Sequence, residues 1–434
     1  MFLQAGARIQ RRGGRYTYTP KTGRIGDGFP LFKLQPFNPS SFNQASTPQS
    51  FNLSPGPRYI WASQNIPGLS SVVIVCLIVL SAQIFCLIAL LGAFLPVARV
   101  RSGGANSVSV VICARNEAPN LRLLVPLLLK QSHEPFEVIV VNDRSVDDSA
   151  AFLQRACEKD ARLKVIHIDR VPEGLNGKKY GLSRAIREAV HEIVLLTDAD
   201  CRPATRRWIS EMASTFVPEC QIVLGYSAYL KTSGLLNTFI RFETLLTGIQ
   251  YIGMARIGLP YMGVGRNLAY RRSYFLESGG FADFMEVTGG DDDLWVNRNA
   301  GKTNTRICTR PASLVWSIPK TTWRSFLNQK LRHLSVGIRY RFMHQALLGL
   351  FNALYVFSWI LSLICLFLLP APYAVLFVFA LRCALFVALV SVASVRLGDK
   401  FSLWPVIILD FLYVIYYIST ALRALFIRKI QWTN

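Results

Sequence analysis

The chain has 434 residues, 51% of them hydrophobic, and a formal net charge of +22 at pH 7. So apolar a chain of this length is no ordinary soluble enzyme, and its cations are dispersed with no nucleic-acid motif among them, which speaks against nucleic-acid binding. Nine cysteines without a C-x-x-C pair argue against a zinc site and a disulfide framework, and suit a reducing cytoplasm.

In chain order, residues 1–66 are basic and rich in Ser, Pro, Gly, Asn and Gln, with Asp27 their only acid. That composition predicts a disordered tail, and no apolar core at its start marks a cleavable signal peptide. Residues 68–97 run without a charge for longer than the ~20 residues that cross a bilayer as a helix. Runs at 346–369, 373–395 and 403–427 predict three more spans, with Pro370 and Pro372 making a tight hairpin between the second and third. Arg382 inside the third is costly in lipid and is expected to face a partner helix, a cavity or a headgroup. Arg99, Arg101 and the cations from Arg324 to Arg341 favour a cytoplasmic side for the intervening domain. The basic tail and Arg428-Lys429 pull their own ends inward as well, whereas four spans put both termini outside.

Between the spans lies a mixed-charge segment, 105–320, large enough for one globular domain. Residues 108–113, 137–142, 163–168 and 193–197 read as short buried strands. They alternate with helical patterns: Leu121, Leu124, Leu127 and Leu128, then 150–159, then a helix opened by Gly177-Lys178-Lys179. Such alternation predicts βαβ units and a mainly parallel sheet, with the polar functional residues just past the strand ends. Over 321–343, Trp323, Phe326, Leu327, Leu331, Leu334 and Ile338 recur at helical spacing opposite Arg324, Lys330 and Arg339. This pattern predicts an amphipathic helix lying on the membrane surface.

The chemistry concentrates in two acidic clusters. Asp198-Ala199-Asp200 ends the fourth strand, where two carboxylates can hold a hard divalent cation beside a diphosphate. Asp291-Asp292-Asp293 follows Gly289-Gly290 and precedes the apolar Leu294-Trp295-Val296. Each motif also has a plainer reading. Asp143, Asp147 and Asn116 suit helix caps, Glu117 suits a helix dipole, Lys178 suits a solvated surface, and Gly265-Arg266-Asn267 suits a tight strand turn.

Taken in order, Val110-Val111-Ile112-Cys113-Ala114-Arg115-Asn116-Glu117, Val140-Val141-Asn142-Asp143-Arg144-Ser145, Gly177-Lys178, Asp198-Ala199-Asp200, Gly265-Arg266-Asn267, Gly290-Asp291-Asp292-Asp293-Leu294 and Gln329-Lys330-Leu331-Arg332 resemble family 2 glycosyltransferases. Those are membrane-bound, inverting, nucleotide-sugar-dependent enzymes of the cellulose-synthase and ceramide-glucosyltransferase kind. The resemblance implies an α/β GT-A fold, Rossmann-like with a mainly parallel sheet, joined to transmembrane helices. It implies that Ala114, Asn116, Glu117 and Asp143 line a uridine pocket, and that Lys178 neutralises phosphate. Asp200 would bind Mg²⁺ or Mn²⁺, and Asp198 the donor's ribose or sugar, or the metal's water shell. Gly265 and Asn267 would approach the donor sugar, and Gln329 and Arg332 would face the leaving diphosphate. Asp291 would be the general base, with Asp292 as the fallback.

The chain departs from the family pattern in two places. Gly290 stands where the family carries glutamate, and His333 where it carries the acceptor-stacking tryptophan. The reading is a glycosyltransferase that moves a sugar from a UDP-sugar to a lipid, lipid-linked or glycan acceptor at the cytoplasmic membrane face, without nucleic-acid partners. A processive polysaccharide synthase and a non-catalytic membrane scaffold are the alternatives.

Overall fold

The computed structural model describes residues 67–95 and 106–426. The tail, Arg99, Arg101 and Arg428-Lys429 lie outside the described residues, together with the expectations attached to them. The strands are β1 Val108–Ala114, β2 Phe136–Asp143, β3 Leu163–Ile168, β4 Ile193–Leu196, β5 Cys201–Pro203, β6 Ile222–Gly225, β7 Ser227–Tyr229, β8 Leu268–Arg271, β9 Thr305–Cys308 and β10 Val315–Ser317. The helices of the first half are α1 Pro67–Ala93, α2 Ala118–Leu129, α3 Ser149–Cys157, α4 Gly177–Glu188, α5 Trp208–Ala213 and α6 Leu235–Arg256. Those of the second half are α7 Arg272–Glu277, α8 Asp293–Asn299, α9 Trp323–Gly337, α10 Phe342–Leu368, α11 Tyr373–Leu397 and α12 Val406–Phe426.

Seven strands form one sheet in the order β3-β2-β1-β4-β8-β6-β9, in which β8 alone runs against the others. The β-branched runs of β1 and β2 are buried on both faces, as a covered parallel sheet requires. Alternate residues feed different cores: Val110 and Ile112 pack with Leu121, Leu124, Trp208 and Met212, and Val111 joins the core of Leu182, Ile186 and Phe242. Parallel register, with Ala114 beside Asn142 and Asn142 beside His167, brings the loops after β1, β2 and β4 to one edge. A second sheet, β5-β10-β7, flanks the Asp198–Asp200 turn, and Ile318 N donates to Asp200 O at 3.3 Å.

Among the described residues four stretches are long and apolar enough to cross a membrane: Ser71–Ala93, Phe342–Leu368, Tyr373–Leu397 and Val406–Arg423. Arg382 of α11 faces partner helices rather than a cavity or a headgroup. It pairs with Asp410 of α12, donates to Gln83 Oε1 of α1 at 3.1 Å, and sits among the rings of Tyr355, Trp359 and Phe386. The indole of Trp359 donates to the same carboxylate at 3.1 Å. The sequence reading overlooked Asp410, which lies within the apolar run 403–427.

Helix α6 joins the sheet domain to this bundle. Its Arg241 pairs with Asp399, in the α11–α12 turn, at 2.6 Å, and Tyr226 donates to the same carboxylate at 3.2 Å. The stretch 321–343 is not one helix: α9 ends at Gly337 and α10 begins at Phe342, with Arg341 N bonded to Asn297 Oδ1 across the break. Nor do all its cations face outward. Lys330 turns inward onto the buried Glu243 at 2.5 Å, while Phe326 stacks on Tyr416 and the large apolar Trp323 and Ile338 stay exposed.

Candidate active site

The fourth strand ends at Leu196, and the chain turns tightly so that Cys201 N bonds Asp198 O at 3.1 Å. Ala199 goes into the core, leaving the two aspartates half-buried on either side of it. Helix α4 starts opposite, capped by Asn176, whose side chain accepts from Lys179 N. Its Lys178 reaches Asp198 Oδ1 at 3.0 Å and Asp291 Oδ2 at 2.9 Å. One ammonium therefore joins acids some ninety positions apart in sequence. Lys178 is not a solvated surface lysine.

The three consecutive acids have three different surroundings. Asp292 caps α8, accepting from Asp293 N at 2.9 Å and from Gly265 N at 2.6 Å, so its oxygens are engaged with backbone. Asp293 is buried and accepts from Tyr340 Oη at 2.9 Å. Asp291 alone of the three pairs with Lys178. Burial by itself would raise the Asp291 pKa, but Lys178, with Lys179 behind it, holds it below the ordinary carboxylate value. Burial and the charge of Asp291 push Asp292 up to about 6, and burial with Asp292 pushes Asp293 up to about 8. Asp291 is thus the one of the three acids that faces Lys178, whereas Asp292 is tied to backbone.

Glycine at 290 has a local cause. Its φ is +76°, and a Cβ there would stand 2.6 Å from Leu294 Cδ1. The loop before it is held by Lys179, fully buried, whose ammonium donates to Val287 O and Gly289 O at 2.5 Å each. Burial lowers the Lys179 pKa to about 8.

The loops after β1 and β2 are laced together. Asn116, at φ 55°, donates its N–H to Ser145 Oγ and accepts from Val146 N, and Glu117 N donates to Ser149 Oγ. Asp147 accepts from Ala118 N and Ser149 N, the capping role that its position suggests. Ala114 ends β1 and is buried. Asp143 is buried too, and both its oxygens are taken by Arg144 at 2.7 and 3.1 Å. That pair lies against Gly177, where a Cβ would come within 2.3 Å of the guanidinium. The loop after β2 thus meets the start of α4 directly.

Asn267 does not face the cleft. It is fully buried, donates both amide hydrogens, to Tyr226 O and Ser313 O at 2.8 Å each, and accepts from Trp208 Nε1 at 3.0 Å, so its amide is closed to a sugar in the cleft. Its neighbour Arg266, absent from the sequence assignment, belongs to the site instead. Its guanidinium lies 4.6 Å from the Tyr229 ring, and its charge acts on Asp200. Gln329 donates to Tyr229 Oη at 3.3 Å. Arg332, on the same helix, is lowered by burial while Asp291 and Asp198 pull it up, which places it in the same field. His333 is exposed, and the neighbouring charges of Lys330, Arg332 and Arg266 disfavour its protonated form.

Burial and the charge of Asp198 raise the Asp200 pKa, and Arg266 only partly offsets them. Two carboxylates at one strand tip, one of them so strained by negative charge, suit a hard divalent cation that shares oxygen ligands with a diphosphate. Among the described residues no cluster of three or more His, Cys, Asp or Glu side chains is arranged to hold a metal by itself.

Residues 109–277 match the protein-family model described as Glycosyl transferase family 2. The solved mannosyltransferase PcManGT from Pyrobaculum calidifontis, in complex with GDP-Man and Mn²⁺, is similar over 83% of this chain and 100% of its own, with a TM-score of 0.54 and 19% identity. At that identity the likeness establishes the fold. S. aureus TarS in complex with UDP-GlcNAc matches over 68% of this chain and 93% of its own, at a TM-score of 0.37 and 14% identity, too distant to carry an argument. No curated protein matches the chain.

Proposed function

We propose that this chain, whose residues 109–277 match the Glycosyl transferase family 2 model, is a membrane-anchored, inverting glycosyltransferase that takes a nucleotide sugar, read from the resemblance as a UDP-sugar. The observation that carries this reading is the single ammonium of Lys178 between Asp198 and Asp291, which brings the diphosphate-side acid and the base-side acid to one cleft.

In this reading Asp291, ionised at neutral pH, takes the proton of an acceptor hydroxyl. The freed oxygen attacks the anomeric carbon as the bond from that carbon to the diphosphate oxygen breaks, with inversion. Negative charge gathers on the departing nucleoside diphosphate, where Lys178, Arg332 and Arg266 are the nearby cations. Asp200, with Asp198 beside it, would hold Mg²⁺ or Mn²⁺, whose Lewis acidity stabilises that leaving group. Asn116, Glu117, Asp143 and the end of β1 at Ala114 would form the nucleotide pocket, with the Asp143–Arg144 pair opening or rotating to admit the base. Gly265, whose N–H is fixed by Asp292, sets the floor near the donor sugar.

The acceptor is proposed to be a lipid or lipid-linked molecule at the cytoplasmic face. Four candidate spans and the exposed Trp323 and Ile338 on and just after α9 support a cleft that opens beside the bilayer. The test uses the purified full chain in nanodiscs with UDP- and GDP-sugars, Mn²⁺ and membrane-lipid acceptors, with mass-spectrometric detection of sugar-lipid. A product that depends on the protein supports the reading, and inactivity across donors and acceptors overturns it. Asp200→Ala is expected to abolish turnover and also the Mn²⁺ dependence of nucleotide binding measured by calorimetry.

A further inference from the structure

A cavity of about 1820 Å³ shares no lining residue with the cleft of Asp198 and Asp291. Its walls carry six cations, Arg207, Arg256, Lys302, Arg306, Arg310 and Arg396, against one acid, Glu211. That acid is already engaged, accepting from Arg310 at 2.7 Å. Arg256 donates to Ala93 O at the end of α1 at 2.8 Å and to Thr309 Oγ1 at 2.7 Å, so its bonds bring no counter-charge, and burial together with Arg396 lowers its pKa. Arg207, Lys302, Arg306 and Arg396 have no ion pair among the described residues. The Nε of Arg306 is buried without a hydrogen-bond partner. So many like charges around one space repel one another unless an anion sits among them.

The rest of the wall indicates what kind of anion. It comes from the ends of two candidate spans, Ala89 and Gly92 of α1 and Val395 of α11, with Leu95 just beyond α1. Five of the cations come from the domain side and Arg396 from the last turn of α11, while Ala89, Gly92, Leu95 and Val395 make an apolar wall, a combination that matches an amphiphile better than a fully soluble anion. Guanidinium forks suit phosphate oxygens.

We propose that this cavity binds the phosphate of an anionic lipid headgroup, seated between edge strand β9 and the neighbouring ends of α1 and α11. The site is separate from the donor cleft. It rests on the membrane anchoring proposed above and on no step of the sugar transfer.

The test titrates the full chain, in neutral detergent micelles, with phosphatidylglycerol, phosphatidylcholine or inorganic phosphate, and follows the thermal unfolding midpoint. Phosphatidylglycerol alone is expected to raise the midpoint. Arg306→Gln/Arg396→Gln is expected to need roughly thirty-fold more of that lipid, as two basic residues at an anionic surface would predict. Arg155→Gln/Lys159→Gln, which removes the same charge from exposed positions on and just after α3, is expected to titrate as the wild type does. Should the first double variant fail to fold, Lys302→Gln, at an exposed position, is expected to shift the titration about five-fold. Identical titrations for all the proteins, or no midpoint change with phosphatidylglycerol, would overturn the proposal. A rise with inorganic phosphate that Arg306→Gln/Arg396→Gln abolishes would overturn the lipid as the source of the phosphate. A wild-type chain that stays monodisperse without detergent would instead overturn the membrane anchoring.

Discussion

Lys178 governs the protonation of Asp291 more than the two acids beside it do, because it lies 2.9 Å away while Asp292 and Asp293 are tied to backbone and to Tyr340. A base acts when deprotonated, so the rate falls as pH falls through its pKa. With that pKa held below the ordinary 3.8, the acid limb of the kcat/KM profile is expected to lie below pH 3.8. Lys178→Gln removes the main lowering influence, and the limb should then move up toward neutral pH. An unmoved limb in that variant would show that another group titrates. In the sequence Asp291 was set apart from Asp292 only by the resemblance, whereas the capping bond from Asp292 to Gly265 spans the chain and leaves no local sign. Asn267 misled for a related reason: an amide can serve a sugar or three backbone and indole partners, and only the fold decides. Asn267→Ala is expected to cost about 1–3 kcal/mol of stability by stranding buried partners. Its KM for donor should stay near the wild-type value, as comparison of unfolding curves and kinetics will show.

At the scale of elements, two consecutive lysines at the start of α4 have divided tasks. Lys178 faces the acids, and Lys179 clamps the loop that delivers them. Lys179→Met is expected to cost about 1–3 kcal/mol for each carbonyl left without a donor and to lower kcat by loosening residues 287–290, read by thermal unfolding and steady-state rates. The parallel half of the sheet was legible because β-branched runs alternate with helical leucines, and a polar residue follows each strand, Arg115, Arg144, Asp169 and Thr197. Helix α6 was not. Residues Phe239, Ile240, Arg241, Phe242, Glu243, Thr244 and Leu245 are all buried in succession, so no one-sided stripe marks it. The break between α9 and α10 was hidden likewise, since apolar spacing continues across it and the bond from Arg341 to Asn297 is a tertiary one.

Across the whole molecule, buried ion pairs fix the parts to one another. Arg241–Asp399 ties the sheet domain to the α11–α12 turn, and Arg382–Asp410 ties together the four helices that are long enough to span a membrane. Arg382→Met alone is expected to destabilise by about 3–5 kcal/mol, because it leaves Asp410 buried and unpaired, whereas Arg382→Met/Asp410→Leu should cost less. Unfolding of both variants in detergent checks this. Arg382 signalled the need for a partner; Asp410 was obscured by the apolar run around it. These couplings tie the sheet domain to the helices, as suits the membrane-borne acceptor proposed above. The most direct measurement compares Asp291→Asn with the wild-type full chain for sugar transfer and, by calorimetry, for nucleotide binding. The account predicts binding that is kept and a kcat reduced about 10²–10⁴-fold, the usual contribution of a general base. A variant that turns over at the wild-type rate would contradict it.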